Sequence, residues 1–343
     1  MEQTGILIDR RFLDHNMGSA HVENPRRLEA ILDMIEQTVT FPYLSIVPRA
    51  ASNEELGWVH APEYVATVRA TAGKDCVVLD PDTSTSPLSY ATACLAAGGL
   101  LVCLDDIMSG RIRNAFAPVR PPGHHAEAHR AMGFCLFNNV AVAAEYLLRR
   151  HGLKRILIVD WDIHHGNGTQ NAFIARDDVL YFSTHQFPHY PGTGHWVETG
   201  MGKGEGFTLN VPLYMGKTDE DFLYIFRNIL GPAARQFDPD AILVSAGFDV
   251  AASDPLGGMD ITALGFAALT RELLSLAGDL CDDRLLIALE GGYDLTALAQ
   301  GSREVLLQLS GTGPEPDIRA EASPQLEREL KPALQHFSQY WTL

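Results

Sequence analysis

The sequence is short of positive charge, of paired cysteines and of any segment built for a membrane. Lysine and arginine number 26 against 43 aspartates and glutamates, a formal net charge of −17. The basic footprint that phosphate backbones require is missing, which argues against direct nucleic-acid binding. An acidic chain favours the approach of cationic partners instead, such as basic protein tails or polyamines. The five cysteines (Cys76, Cys94, Cys103, Cys135, Cys281) contain no C-x-x-C pair and are odd in number, so free thiols in a reduced compartment fit better than a disulfide framework. No apolar run reaches the ~18 residues of a bilayer span. The Met1–Arg11 stretch is short, mixed and carries acids, unlike a secretory leader. These absences lead us to expect a cytoplasmic protein with no membrane association. No Pro/Gly/Ser linker or charge block divides the 343 residues, and 46% hydrophobic content suffices for one large core. We expect one domain over 1–343, with the segment from about 311 to 343 peripheral and irregular near Gly311–Pro324. No heptad or interface helix stands out to set an oligomeric state.

What is present is a series of short runs rich in Ile, Val and Leu, of the kind that form strands buried on both faces: Ala115–Val119, Arg155–Asp162, Val179–Thr184, Ala241–Ala246 and Leu285–Glu290. Helical patterns surround them at Pro25–Thr38, Ser89–Met108, Asn138–His151, Asp219–Gln236, Thr262–Leu280 and Asp294–Leu309. Strands separated by helices predict an α/β fold around a central, mostly parallel sheet covered on both faces. Nearly every strand runs into a polar, Gly-rich or His-rich segment at its C-terminal end. Open parallel sheets bind ligands outside those ends, so five distant segments converge on one site by topology.

The strand-end residues carry recognisable chemistry. In Asp162-Ile-His164, positions i and i+2 point to one side of a strand, so a carboxylate and an imidazole can face one metal; such a pair in isolation is equally at home in solvent. Asp160 shares that side and can orient a neighbour. Asp249, after Ser245-Ala-Gly-Phe, supplies a third ligand or else caps a helix. Two carboxylates and one histidine leave the fourth position of a zinc site open to water and substrate. His124 and His125 follow Pro121-Pro-Gly123, and near a metal one of them can deprotonate water and later protonate a leaving amine. Asp160 and Asn167 are candidate orienting partners for the pair. Tyr293 follows Gly291-Gly292, a hinge on which a phenol could swing to stabilise an oxyanion, or pack as an ordinary core residue.

Taken together, Arg120-Pro-Pro-Gly-His-His-Ala126, Gly133-Phe-Cys-Leu-Phe-Asn-Asn139, Asp160-Trp-Asp-Ile-His-His-Gly-Asn-Gly-Thr-Gln170, Pro191-Gly-Thr-Gly194, Ser245-Ala-Gly-Phe-Asp249 and Glu290-Gly-Gly-Tyr293 resemble the signature blocks of zinc-dependent histone deacetylases, in order from about Asn24 to Tyr293. The resemblance implies an arginase/deacetylase-like fold with zinc on Asp162, His164 and Asp249. It makes His124 and His125 the acid/base pair, supported by Asp160 and Asn167, and Tyr293 the carbonyl polariser. It places Gly133, Phe134, Tyr190 and Leu256 on a narrow acyl-lysine channel, and a potassium ion on Asp160, Asp162, His164, Ser183 and Thr184. Arg27 would line an internal cavity below the metal. The expected reaction is hydrolysis of an N-acyl amide of a lysine side chain by metal-activated water, with acetylpolyamine hydrolysis as the alternative substrate reading.

Several departures bear on the branch and on its rivals. Asn167 stands where class I members carry Asp, as in the class II and bacterial amidohydrolase branch. Tyr190 replaces the usual Phe and adds a hydroxyl to the channel. Leu256 occupies a gatekeeper position that is Glu in one polyamine-selective branch, which favours acyl-lysine. An arginase-like two-metal site would need further carboxylates, but Gly166, Val250 and Ala251 follow the ligands where those should stand. A non-catalytic acyl-binding or scaffold protein would be expected to lack part of the set, and none is lacking. Cys135 sits beside the channel and reads as a buried, inert thiol.

Overall fold

The computed structural model describes residues 4–343; Met1, Glu2 and Gln3, the start of the stretch read as no leader, lie outside the described residues. The strands in chain order are β1 (Thr4–Leu7), β2 (Leu44–Ile46), β3 (Val77–Asp80), β4 (Thr83–Thr85), β5 (Asn114–Ala117), β6 (Ile156–Asp160), β7 (Val179–Gln186), β8 (Thr208–Leu213), β9 (Ala241–Ala246) and β10 (Leu285–Leu289). β3 and β4 pair as a small antiparallel hairpin, and the other eight form one parallel sheet in the order β2-β1-β5-β10-β9-β6-β7-β8. The five strands expected from the sequence are therefore its contiguous centre. β5, β6, β9 and β10 are buried at every residue, which is why they read as unbroken apolar runs. Their ends are in register: Asp160 pairs with Ser183 on one side and Ser245 on the other.

Of the strands of this sheet that were not foreseen, β2 and β8 are its two edges and β1 lies beside β2. β1 and β2 are only 4 and 3 residues long, and β8 carries Pro212, which an edge strand tolerates because one side of its backbone needs no ladder bond. The helix Pro324–Phe337 packs beside β8 and buries Leu326, Leu330, Ala333 and Phe337, while Trp341 Nε1 donates to Gly206 O at 2.7 Å. The stretch 311–323 between it and the preceding helix has no regular structure.

Two expectations need correction. The helix predicted over Asp219–Gln236 is three pieces, Asp219–Ile225, a π-helical turn Phe226–Leu230, and Gly231–Phe237. Pro232 has no N–H to give the carbonyl four residues back, and the ladder widens so that Gly231 N reaches Phe226 O. The helix Ser89–Met108 is long and apolar enough to cross a bilayer by length and composition, contrary to the reading that no such run exists. Its most apolar window is 78% buried, so here it is a core helix facing neighbours on most sides.

Candidate active site

Ligating atoms of Asp162, His164 and Asp249 all lie within 4.8 Å of one another at the ends of β6 and β9. His164 Nδ1 is 3.0 Å from Asp162 Oδ1 and 3.2 Å from Asp249 Oδ2. The carboxylates are held by backbone donors, Gly291 N to Asp162 Oδ2 at 2.8 Å and Ile163 N to Asp249 Oδ1 at 3.0 Å. Left to themselves the carboxylates would keep a proton on His164: burial lowers its pKa, but Asp162 and Asp249 outweigh this and raise it to about 10. Burial and the adjacent Asp162 push Asp249 up to about 7.

The set fits a divalent cation. Asp249 Oδ2 is buried and makes no hydrogen bond, and its one close polar neighbour, His164 Nδ1 at 3.2 Å, is itself a candidate ligand atom, an arrangement that a cation between them would satisfy. A Cβ at Gly291 would stand 2.1 Å from Asp249 Oδ2 and 2.7 Å from Asp162 Oδ2, so glycine there keeps the approach to both carboxylates clear. One histidine and two carboxylates, with no thiolate, is a donor set zinc accepts in catalytic sites with an open position.

His124 and His125 stand beside this cluster with their rings 4.0 Å apart, and the structure divides the two expected orienting partners between them. His124 Nδ1 faces Asp160 Oδ2 at 3.1 Å, and His125 Nδ1 faces Asn167 Oδ1 at 2.8 Å. Burial lowers the pKa of His124, but Asp162 and Asp160 more than reverse it, to about 10. For His125, burial and then the charges of His124 and His164 hold the pKa well below the usual range. Adjacent histidines thus become one cation and one neutral imidazole. The loop bearing them hangs on Glu290, whose Oε2 accepts from Gly123 N at 2.6 Å and His124 N at 3.2 Å while Oε1 accepts from Ser245 Oγ at 2.9 Å.

A cavity of about 230 Å³ opens above the cluster, lined by His124, His125, Gly133, Phe134, His164, Tyr190, Leu256 and Tyr293, together with Asp82, Pro122, His189 and Gly291. Every channel residue expected from the sequence is therefore present. A larger cleft of about 400 Å³, near the C-terminal helix, brings no such set together; its carboxylate, Glu329, is taken by Lys217 at 3.0 Å. Position 133 requires glycine for two reasons. Its φ is +56° and a Cβ would meet His125 Cδ2 at 2.2 Å, so it is the imidazole that demands the close approach. Phe134 follows with φ +69°, strain for a bulky residue, held by Thr83 Oγ1 accepting from its backbone N at 2.9 Å.

Tyr293 is pinned at its backbone. Asp254 Oδ2 accepts from Tyr293 N at 2.6 Å and Asp294 N at 3.1 Å, while Oδ1 accepts from Leu256 N at 3.0 Å. The ring lies edge-on to Phe134, with the Arg27 guanidinium 4.8 Å over its face. Burial, opposed by Arg27 and reinforced by Asp249 and Asp162, holds the phenol well above its ordinary pKa, so it remains a proton donor. Arg27 is fully buried and donates to Gly292 O at 2.6 Å and Glu290 O at 2.5 Å.

Of the expected potassium residues, Asp160 and Ser183 are strand neighbours, and Asp160 Oδ1 accepts from Asp162 N at 3.1 Å. Ser183 and Thr184 are successive residues of β7, so their side chains point to opposite faces and both hydroxyls cannot reach one ion. Cys135 is fully buried, its thiol 3.2 Å from Gly133 O, and burial pushes its pKa far up. Asp82, Glu127, His189, Asp254 and Glu290 were not assigned roles from the sequence. Glu290 stands within a quoted motif, Asp254 lies two residues before Leu256 and His189 directly before Tyr190, but Asp82 carries no spacing that marks it.

The fold and this arrangement define a family, and the chain belongs to it: residues 21–309 match the histone deacetylase domain. Histone deacetylase 15 of Arabidopsis thaliana is 40% identical, aligning over 94% of this chain and 59% of that protein. A probable deacetylase of Archaeoglobus fulgidus is 40% identical over 85% of this chain and 82% of its own length. Polyamine deacetylase HDAC10 of Homo sapiens is 41% identical over 88% of this chain, which spans only 46% of that relative. The crystal structure of the HDA15 HD domain superposes with a TM-score of 0.92 at 38% identity, covering 99% of this chain and 95% of that one.

Proposed function

We propose that this protein is a zinc-dependent amidohydrolase that removes acyl groups, acetyl foremost, from the side-chain amines of lysine. The observation that carries the reading is a single cavity that reaches the Asp162–His164–Asp249 cluster through His164 and is lined by a histidine pair whose two rings face different partners, His124 facing Asp160 and His125 facing Asn167. Zinc held by those three residues would supply Lewis acidity towards the amide carbonyl and a water. His125 gives its Nδ1 proton to Asn167 Oδ1 in a hydrogen bond, which leaves Nε2 unprotonated and able to take a proton from the attacking water. The Tyr293 phenol donates to the oxygen on which negative charge develops. The His124 cation, fixed by Asp160, offsets that charge, and the proton held by the histidine pair passes to the departing nitrogen. Water and amide become a carboxylic acid and a free amine. A potassium ion near Asp160, Asp162, His164, Ser183 and Thr184 belongs to the same proposal, with Ser183 offering its hydroxyl and Thr184 its carbonyl.

Leu256 on the channel lip offers no charge and suits the methylenes of a lysine side chain. One feature favours acylated polyamines as a second reading. Asp82 lines the same cavity, and its two protein bonds, from Gly133 N and Thr83 Oγ1, both end on Oδ1. Its other oxygen is left for a distal ammonium. The test is turnover by the zinc-loaded protein of acetyl-lysine and trifluoroacetyl-lysine peptides against N-acetylputrescine and N8-acetylspermidine. Peptide turnover that collapses in Tyr293→Phe supports the lysine reading. Preference for the polyamines transfers the function to the second reading, and zinc binding without turnover of any amide refutes both.

A further inference from the structure

Asn167 can steer His125 only if its amide is the right way round, and a residue outside the cavity decides that. Asn167 Nδ2 donates to Glu127 Oε1 at 2.8 Å and lies 3.4 Å from Met132 Sδ. Both neighbours are acceptors with no proton to give. A flipped amide would set its oxygen against a carboxylate and a thioether, and would turn its NH2 towards His125 Nδ1. The unflipped form makes a continuous chain, His125 to Asn167 to Glu127, with Asn167 passing polarity between an imidazole and a carboxylate.

Glu127 is itself firmly placed. Asn171 Nδ2 also donates to its Oε1 at 3.1 Å, and Arg130 Nε donates to Oε2 at 3.1 Å. Its backbone carbonyl receives the Nδ1 proton of buried His60 at 2.9 Å, because His60 Nε2 is engaged as acceptor of Asn138 N at 2.9 Å. The next residue's carbonyl, Ala128 O, takes Ala61 N at 2.8 Å. No such support is needed where an aspartate meets a histidine directly, since a carboxylate presents the same atom either way round. An asparagine needs an arbiter.

We propose that Glu127 is a positioning residue for the general base: by holding the Asn167 amide in one orientation it fixes the proton of His125 on Nδ1 and keeps Nε2 free to accept. This rests on His125 being the base of the proposed hydrolysis, although the tautomer itself can be read without turnover. The Glu127 side chain is partly exposed and lines neither the metal cluster nor the cavity, so a loss on its removal would reach His125 through Asn167.

The experiment compares wild type, Glu127→Ala, Glu127→Gln, and Glu127→Ala combined with Asn167→Asp, all zinc-loaded. Glu127→Ala is expected to lose about 10–100-fold in kcat, the range for partners that orient an active-site histidine, with KM within about twofold. Glu127→Gln keeps an acceptor oxygen and should lose less. Adding Asn167→Asp should recover most of the Glu127→Ala loss, because a carboxylate has no wrong way round. Long-range 15N–1H correlation spectra should show the His125 proton on Nδ1 in wild type and on Nε2 in Glu127→Ala. An unchanged kcat, a loss confined to KM, or a double variant no better than Glu127→Ala overturns the proposal. Should the wild type hydrolyse no amide, the hydrolase reading fails, and the spectra alone decide: a shifted tautomer sustains the role of Glu127, an unshifted one removes it.

Discussion

Metal uptake should be visible as stability, and one ligand should control it with an unusual sign. Asp249 is buried, lacks a partner for Oδ2 and crowds Asp162, so without metal its charge is a burden on the fold. A ligand present at 100 times its Kd stabilises the folded state by about 2.7 kcal/mol. With an unfolding entropy near ~2.1 cal/mol/K per residue, a chain of 343 residues has roughly 0.7 kcal/mol per kelvin at its midpoint. Zinc at that excess should therefore raise Tm by about 4 °C. In Asp249→Asn the shift should shrink below about 1 °C, because a neutral amide replaces one of two anionic ligands. The same variant without zinc should melt no lower than wild type: the new side chain keeps an acceptor for Ile163 N and removes the carboxylate that crowds Asp162, while Asp162 Oδ1, 3.0 Å from His164 Nδ1, remains to pair with the imidazolium. pH enters through His164, whose proton must leave when the metal binds. Its pKa near 10 in the absence of metal means that affinity improves about tenfold per pH unit below that value, or ~1.4 kcal/mol. The zinc-induced shift should thus grow by about 2 °C per unit from pH 7 to pH 9, and faster below pH 7, where Asp249 also gives up a proton. Differential scanning fluorimetry with and without zinc measures all of this. A full-sized shift in Asp249→Asn, or a metal-free variant several degrees less stable than wild type, would refute the reasoning.

Three further outcomes follow from the same geometry. Tyr293→Phe should lower kcat by roughly 10²–10³ with little change in KM, the cost of one oxyanion donor, and a loss carried by KM instead would place the phenol in substrate binding. Gly291→Ala should fold but bind little zinc, since its Cβ would stand 2.1 Å from Asp249 Oδ2; stoichiometric metal by atomic absorption would contradict the cradle. The third concerns acid: burial lowers His15, His60 and His165 to about 4, so the folded state favours their neutral forms. The stability this contributes is complete above the unfolded value near 6.5 and is lost as pH falls through about 4, at most about 3 kcal/mol for each. Tm should decline from pH 6.5 towards pH 4, and a flat profile across pH 7 to 5 would count against neutral burial.

The sequence was most legible where burial is greatest. β5, β6, β9 and β10 lie between helical layers, so their Ile, Val and Leu could not be diluted by polar positions, and each ends where the sheet opens to a site. Asp162, His164, Asp249, His124, His125 and Tyr293 were singled out because each lies in the loop that follows such an end; β6 stops at Asp160, so Asp162 and His164 come together past the strand and not on one face of it. β2 and β8 are the sheet's edges, β2 only 3 residues long and β8 interrupted by a proline, and β1 beside β2 is a single run of 4 residues, so none of them leaves a pattern that marks a strand. Partners made by the tertiary fold were harder still. Nothing near Asp254 indicates that it will meet the backbone of Tyr293, and Glu127 reads as one more acid after a His-His-Ala run. The pairing of Asp160 with His124 and Asn167 with His125 depends on how two loops face each other, which spacing does not encode.

Asp254 ties two parts that are usually considered separately. One of its oxygens holds the backbone of Leu256 on the lip of the cavity and the other holds the backbone of Tyr293 beside the metal cluster. The width of the entrance and the aim of the phenol are thereby set by a single buried carboxylate, as two ends of one lever. Under the proposed hydrolysis, a substitution that moves the Leu256 backbone through this carboxylate would also move the backbone that carries the phenol, coupling acyl-group tolerance to rate. Variants selected for new substrates should carry a second change that returns Tyr293 to its line, and the turn between Ala252 and Gly258 is where such compensation would accumulate.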